Sequence, residues 1–166
     1  MTFADLPPGA AVFIDANILV YHFLPHPVLG PPCTNLLDQI ENKHLIGFTS
    51  AAVLSDVAHR LMTLEANQIL SWPLTGIAHR LKRHPPEIQR LSRYRQAQDE
   101  ITAIGAQILP ISGPLVSAAI DACRQFGLLM NDGLVVAFMQ DHGLNNLASH
   151  DADFDRVTGV NRFAPM

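Results

Sequence analysis

The sequence predicts an α/β protein, a three-layer α/β/α sandwich around a mostly parallel sheet. Two observations lead there. Short apolar runs of strand length return four times along the 166 residues, and the stretches between them keep a helical period. A third observation concerns function: the first run ends directly on an acid, Asp15, where a buried strand would open into a site.

The first strand is expected at 11–15 (AVFID), a second at 45–49 (LIGFT), a third at 106–110 (AQILP) and a weaker fourth at 146–150 (NLASH). From 51 to 65, Val53, Val57, Leu61 and Leu64 keep one helical face apolar, and Ser50 stands where an N-cap is wanted. From 112 to 126, Ser112 can cap, Pro114 suits the first turn, and Leu115, Ala118, Ala119, Ala122 and Phe126 form a stripe. A last helix is expected over 131–142, with Asn131 as cap and Gly143 as terminator. Two helices are expected between the first two strands, three between the second and third, and two before the fourth. The segment 66–86, with Trp72, Pro73, Gly76, Pro85 and Pro86, is the least regular and reads as a surface excursion.

With 48% hydrophobic residues, the chain can bury one core and is short for two, so a single domain spanning 1–166 is expected. Cys33 and Cys123 lie far apart, and the eight histidines form no HxxxH pair. Neither a disulfide framework nor a structural zinc site is indicated, and a reducing cytoplasm fits this usage. No stretch reaches the roughly 18 uncharged apolar residues of a membrane span, and the first residues lack a signal-peptide pattern, so a soluble, membrane-free protein is expected.

Net charge is −4, unevenly spread. Arg80, Lys82, Arg83, Arg90, Arg93 and Arg95 place six of the eleven Lys and Arg residues within sixteen positions, opposed there only by Glu87. This basic part of a helical excursion at about 66–105 can attract phosphates at range, or can be a solvated helix face.

Three further carboxylates accompany Asp15: Asp132 at a helix start, Asp151 after the fourth strand, and Asp56 inside the second-strand helix. In parallel α/β sheets, ligand sites gather outside the carboxyl ends of the strands. Four acids on separate elements facing one cleft repel unless cations neutralise them, and Mg²⁺ or Mn²⁺ prefers such oxygen ligands. Each acid also has a plainer role open to it. Asp132 suits the helix dipole, Asp56 can pair with Arg60 at i+4, and Asp151, Asp153 and Asp155 can form a polar turn around Phe154.

The ordered set FIDANILVYHF, FTSAAVLSDVAHRLM, NDGLVVAF and SHDADFDRV resembles the PIN-domain nucleases, and within them the VapC-type toxins of toxin–antitoxin pairs, from residue 11 to about 163. The resemblance implies a PIN-like fold and a Mg²⁺- or Mn²⁺-dependent endoribonuclease, with RNA as substrate, an antitoxin protein as partner, and a homodimer. It maps the strand-closing Asp-x-Asn onto Asp15 and Asn17, the helix-opening Ser onto Ser50, and the later acids onto Asp132, Asp151 and the adjacent Asp153. On it, Asp15, Asp132 and Asp151 hold the metal, Asp56 or Asp153 completes the shell, and Asn17, Ser50 and Ser149 orient ligands or touch phosphate. The six basic residues from Arg80 to Arg95 become the RNA-contacting candidates.

Three features depart from the family pattern. Asp56 stands where Glu is usual, His150 follows Ser149 where Arg, Asn or Lys is expected, and 66–105 is longer than in the compact toxins. A non-catalytic PIN-like module that binds RNA or protein, or a housekeeping RNA-processing nuclease, are the alternatives. A dehalogenase-like phosphatase lacks its second acid, replaced by Asn17, and its late lysine, since Lys43 and Lys82 are the only lysines. No GxSxG, P-loop or GxGxxG is present.

Overall fold

Thirteen helices and strands account for most of the chain in the computed structural model, which describes residues 1–24 and 26–166. They run β1 (Ala11–Ile14), α1 (Ala16–Phe23), α2 (Gly30–Glu41), β2 (Ile46–Ser50), α3 (Ala51–Leu70), α4 (Ile77–Lys82), α5 (Pro85–Arg90), α6 (Arg93–Ile104), β3 (Gln107–Leu109), α7 (Gly113–Phe126), α8 (Met130–Asp141), β4 (Asn146–Ala148) and β5 (Asn161–Phe163). A short 3-10 turn, Ala152–Arg156, joins the last two strands.

The described strands form one sheet in the order β3-β2-β1-β4-β5, and each neighbouring pair is parallel. The chain therefore steps outward from β1 to β3, then reverses and steps from β4 to β5. Right-handed crossovers running in opposite directions place their helices on opposite faces. In agreement, α1, α2, α3 and α6 pack on one another, while α7 and α8 form a close pair of their own. The direction changes between β1 and β4, and that is where an open parallel sheet leaves a crevice beyond its strand ends.

Apolar side chains meet where the sequence places them. Phe13 of β1, Phe138 of α8, Leu147 of β4 and Phe154 are fully buried, and the Phe13 and Phe138 rings stack with centroids 6.2 Å apart. Gly133 lets α7 and α8 approach closely: a Cβ there would stand 2.7 Å from the Ala119 carbonyl oxygen and 2.4 Å from Cys123 Sγ. The neighbouring Asp132 is thereby seated at the crevice.

Four expectations are corrected. The region 66–86 is mostly helical: α3 runs on to Leu70, and α4 and α5 follow. Pro85 and Pro86 open α5, where a missing N–H goes unmissed, and Gly76 precedes α4 with φ 72°. These helices bury Ala66, Ile77, Leu81 and Leu91 in a small apolar cluster of their own, against which Trp72 packs. Four helices, rather than three, thus separate β2 from β3. Asn131 does not cap α8; Leu129 holds that position without a side-chain cap, and Asn131 lies in the first turn. A fifth strand, β5, was not expected, because Asn161–Phe163 is only three residues long and its first two are polar. The other cap assignments hold, with Ser50 Oγ accepting from Val53 N at 3.2 Å and Ser112 Oγ from Leu115 N at 3.4 Å.

Candidate active site

Register decides which side chains share the crevice. Ala11 pairs with Ile46 and Phe13 with Leu147, so continuing the ladders by one pleat sets Asp15 level with Ser50 on one side and Ser149 on the other. Asp15 N still donates to Ala148 O at 3.1 Å, and Thr49 Oγ1 donates to Ile14 O at 3.1 Å, tying the three strand ends together.

Asp15 is 9% exposed and serves as the N-cap of α1, its Oδ1 accepting from Ala16 N at 2.7 Å. Its Oδ2 accepts from Ser149 Oγ at 2.7 Å and from the Asn17 side-chain amide. Ser149 Oγ in turn accepts from Asn17 Nδ2 at 3.1 Å and from Asp151 N at 3.0 Å, so its donor and both lone pairs are engaged. The result is a fixed carboxylate with one Oδ1 lone pair left without a partner among the described residues. Burial raises the Asp15 pKa above its ordinary value, against the lowering effects of Ser149, Ala16 and Arg60.

The pocket beside Asp15 measures about 410 Å³ and is lined by Asp15, Asp56, Asp132, Asp151, Asn17 and Ser50, together with Arg60 and the apolar start of α8. The four acids foreseen from the sequence thus surround one space. Asp132 is half-buried and accepts no hydrogen bond among the described residues. Burial, and then the charges of Asp15, Asp151, Asp153 and Asp56, push its pKa up to about 6. Asp151 caps the following 3-10 turn, Oδ1 accepting from Asp153 N at 2.9 Å, which leaves Oδ2 without a hydrogen-bond partner among the described residues.

Asp153 does not line the pocket; it pairs with Arg156 at 2.9 Å. Asp155 takes a bidentate grip from Arg162 at 2.7 and 2.8 Å, and Arg162 also donates to Ser149 O at 3.2 Å. The polar turn around fully buried Phe154 is therefore present, and it braces the loop that carries Asp151. Asp56 meets Arg60 at 4.0 Å, so its plainer partner is present while both line the pocket.

Among the described residues, no three His, Cys, Asp or Glu side chains converge closely enough to grip an ion as they stand. The donor set nevertheless fits a hard divalent cation. It is all oxygen, Asp132 lacks a donor, and two of its acids have raised pKa values that a cation would relieve. Mg²⁺ binds through as few as one or two carboxylates and keeps its waters, so a closed three-acid cluster is not required.

Sequence reasoning gave Arg60 only a pairing role and gave Arg162 none. Arg60 is the only Lys or Arg lining the pocket among the described residues, and its i+4 spacing from Asp56 was the available signal. The six basic candidates lie elsewhere, on α4, α5 and α6 and, for Arg83, at the C-cap of α4. Arg80 stacks 4.2 Å above the Trp72 ring, Arg90 pairs with Glu87 at 2.7 Å, and Arg93 Nη1 donates to Phe23 O at 3.4 Å. Lys82, Arg83 and Arg95 are exposed and form no ion pair among the described residues. Half of the cluster is thus committed to holding its own helices. Glu65, 5% exposed on α3, anchors the start of α6 by accepting from Ser92 N and Arg93 N at 3.1 Å each.

An α/β sheet whose switch-point crevice is walled by carboxylates from four elements defines a recognisable class. The chain belongs to the PIN domain family, which matches residues 12–160. It is 27% identical to Ribonuclease VapC2 of Methanocaldococcus jannaschii over 147 residues, 88% of each chain. Its fold is shared by VapC20 of Mycobacterium tuberculosis, a sarcin–ricin loop cleaving toxin (TM-score 0.62, 14% identity, 89% of this chain and 95% of that one). VapBC2 of Rickettsia felis, seen bound to a DNA fragment of its promoter, is similar as well (TM-score 0.59, 16% identity, 93% and 98%).

Proposed function

We propose that the protein is a divalent-metal-dependent endoribonuclease, the toxin of a toxin–antitoxin pair. The observation that carries this reading is the common pocket of Asp15, Asp56, Asp132 and Asp151 at the switch point of a PIN-family sheet. Asp15, Asp132 and Asp151 would hold Mg²⁺ or Mn²⁺, with Asp56 supporting from α3; Asp153, turned to Arg156, would act through its charge. When bound, the ion supplies charge neutralisation for the phosphodiester and its leaving oxygen.

The chain's own groups do the rest. Asn17 and Ser149 fix the rotamer of Asp15, whose Oδ1 keeps one lone pair without a partner among the described residues. Ser50, fully buried, is spent on capping α3 and so holds that helix, with Asp56 and Arg60, against the strand ends. Asp132, half-buried and crowded by the charges of Asp15, Asp151, Asp153 and Asp56, is the acid whose raised pKa a bound cation would relieve most directly. Arg60 provides the positive charge that a phosphate entering an acidic pocket needs. Lys82, Arg83 and Arg95 offer longer-range attraction to the RNA backbone.

Cleavage of single-stranded RNA with Mn²⁺, compared with a chelator control and with Asp15→Asn, tests the reading. Metal-dependent cutting lost in the variant supports it. RNA binding without cutting would favour the second reading, a non-catalytic PIN module, to which the 4.0 Å Asp56–Arg60 pair gives some basis.

A further inference from the structure

Beside the acidic pocket, three rings gather on two segments of the chain. Tyr21 lies one turn beyond Asn17 on α1, and its ring meets that of His150 edge-on at 5.8 Å and that of His26 at 5.5 Å. Tyr21 Oη and His150 Nδ1 stand 3.3 Å apart. Tyr21 packs against the edge of the core yet stays partly exposed, and His26 and His150 are exposed. Their placement is nonetheless fixed. His150 N donates to Asn17 Oδ1 at 3.0 Å, the same Asn17 that orients Asp15. His26 Nδ1 accepts from Val28 N at 3.3 Å and Leu29 N at 3.1 Å, which holds its ring against Tyr21.

The ledge has acid on one side and a recess on the other. His150 immediately precedes Asp151 of the acidic pocket, and His26 lines a second cleft of about 490 Å³ with Pro27, Thr34, Asn35 and Asp38. A strand leaving the acidic pocket along this edge would meet aromatic faces rather than cations. Nucleobases of an unpaired strand stack on such faces, Tyr and His included, whatever their sequence. We propose that Tyr21, His26 and His150 form a stacking ledge that seats a nucleobase of single-stranded RNA next to the phosphate presented to the acids. The ledge rests on the nuclease reading of the neighbouring pocket. It also gives a role to His150, where the family pattern leads one to expect Arg, Asn or Lys: a base platform replaces a phosphate-binding group.

The test uses the full chain in chelator, so that nothing is cut, with short oligoribonucleotides carrying one 2-aminopurine moved along the strand. Wild-type protein should quench the probe at one or two positions and leave the others bright. His150→Ala, a change at an exposed side chain, should bind roughly 5- to 150-fold more weakly, the range expected for loss of one base–aromatic stack, and should abolish the quenching. His150→Phe should restore both, and Tyr21→Leu should reproduce the loss. Undiminished binding with the same quenching pattern in His150→Ala and Tyr21→Leu would overturn the ledge, as would failure of the wild-type protein to bind any of the oligonucleotides. Persistent position-specific quenching without cutting on addition of Mn²⁺ would sustain the ledge while removing the nuclease reading.

Discussion

The acidic crevice and the basic helical arm are built in opposite ways. Asp15, Asp56, Asp132 and Asp151 lie up to 136 positions apart in sequence, yet strand register and helix starts bring all four to one pocket. Arg80, Lys82, Arg83, Arg90, Arg93 and Arg95 are close in sequence, yet α4, α5 and α6 distribute them, and three are occupied with Trp72, Glu87 and the Phe23 carbonyl. Density along the chain is a poor guide to density in space. The rule that placed the acids, that strand ends gather side chains, is a property of the sheet and holds at any sequence separation.

If the crevice is where chemistry occurs, Asp132→Asn should lower Mn²⁺-dependent RNA cleavage by roughly 10³-fold, several kcal/mol of lost transition-state support. Folding should survive, since the variant removes a repelled charge. Wild-type rates in Asp132→Asn would sever the crevice from the reaction.

Asp56 sharpens the comparison from within the crevice. Its carboxylate meets Arg60 at 4.0 Å and also raises the pKa of Asp132, so it stands between an ordinary helix pair and a site residue. As a site residue, Asp56→Ala should slow cleavage about 10- to 100-fold while Asp56→Glu preserves it. As a surface pair worth about 0.3–0.5 kcal/mol, its loss would leave rates unchanged.

Helix packing beneath the crevice is expected to matter next. Gly133→Ala forces a methyl toward the Ala119 carbonyl, backbone that cannot swing aside, and should destabilise the protein by about 1–3 kcal/mol in urea unfolding. Gly47 stands against the buried Ile40 side chain, where a Cβ would meet Cγ2 at 2.8 Å and Cδ1 at 2.9 Å, so Gly47→Ala should destabilise as well.

The strand and helix alternation was legible because period-2 and period-3.6 patterns survive in this sequence; Asp15 was legible because it closes a wholly apolar run, and Asp56, Asp132 and Asp151 chiefly through their order within the PIN-like set of segments. What failed has physical causes. β5 is too short to show a pattern, and α4 and α5 are six-residue helices whose stability comes from Ile77, Leu81 and Leu91 packing on α3, a contact invisible to local propensity. The bracing by Arg162 depends on a parallel pairing of β4 with β5, which no local signal announces.

The pKa of Asp132 gives a smaller and signed effect. Raised from 3.8 to about 6, this carboxyl holds its proton more tightly folded than unfolded. Below about pH 4 both states are protonated and nothing is lost. Between pH 4 and 6 the unfolded chain releases its proton first, so metal-free stability falls as pH rises, and above pH 6 the full penalty is present. Solvent screening of the half-exposed group limits it to about 1 kcal/mol, or roughly 2–4 °C in Tm. Thermal unfolding in chelator should therefore show Asp132→Asn gaining on wild type between pH 4 and 7; a constant difference would contradict the assigned pKa.

For the arm, Lys82, Arg83 and Arg95 replaced together by Gln should flatten the salt dependence of RNA binding by about 0.7 per lost phosphate contact, with little change in cleavage at saturating RNA. An unchanged slope would make the arm a solvated face or a protein contact.

The central claim, that the crevice and not the arm gathers charge for a cation, is tested most directly by titrating Mn²⁺ into the protein at pH 7.5 and following the free-ion signal by electron paramagnetic resonance. Saturable uptake by the wild-type chain, lost in Asp132→Asn and intact in the triple Gln variant, is the expected result; equal uptake by wild type and Asp132→Asn, or none by either, would contradict it.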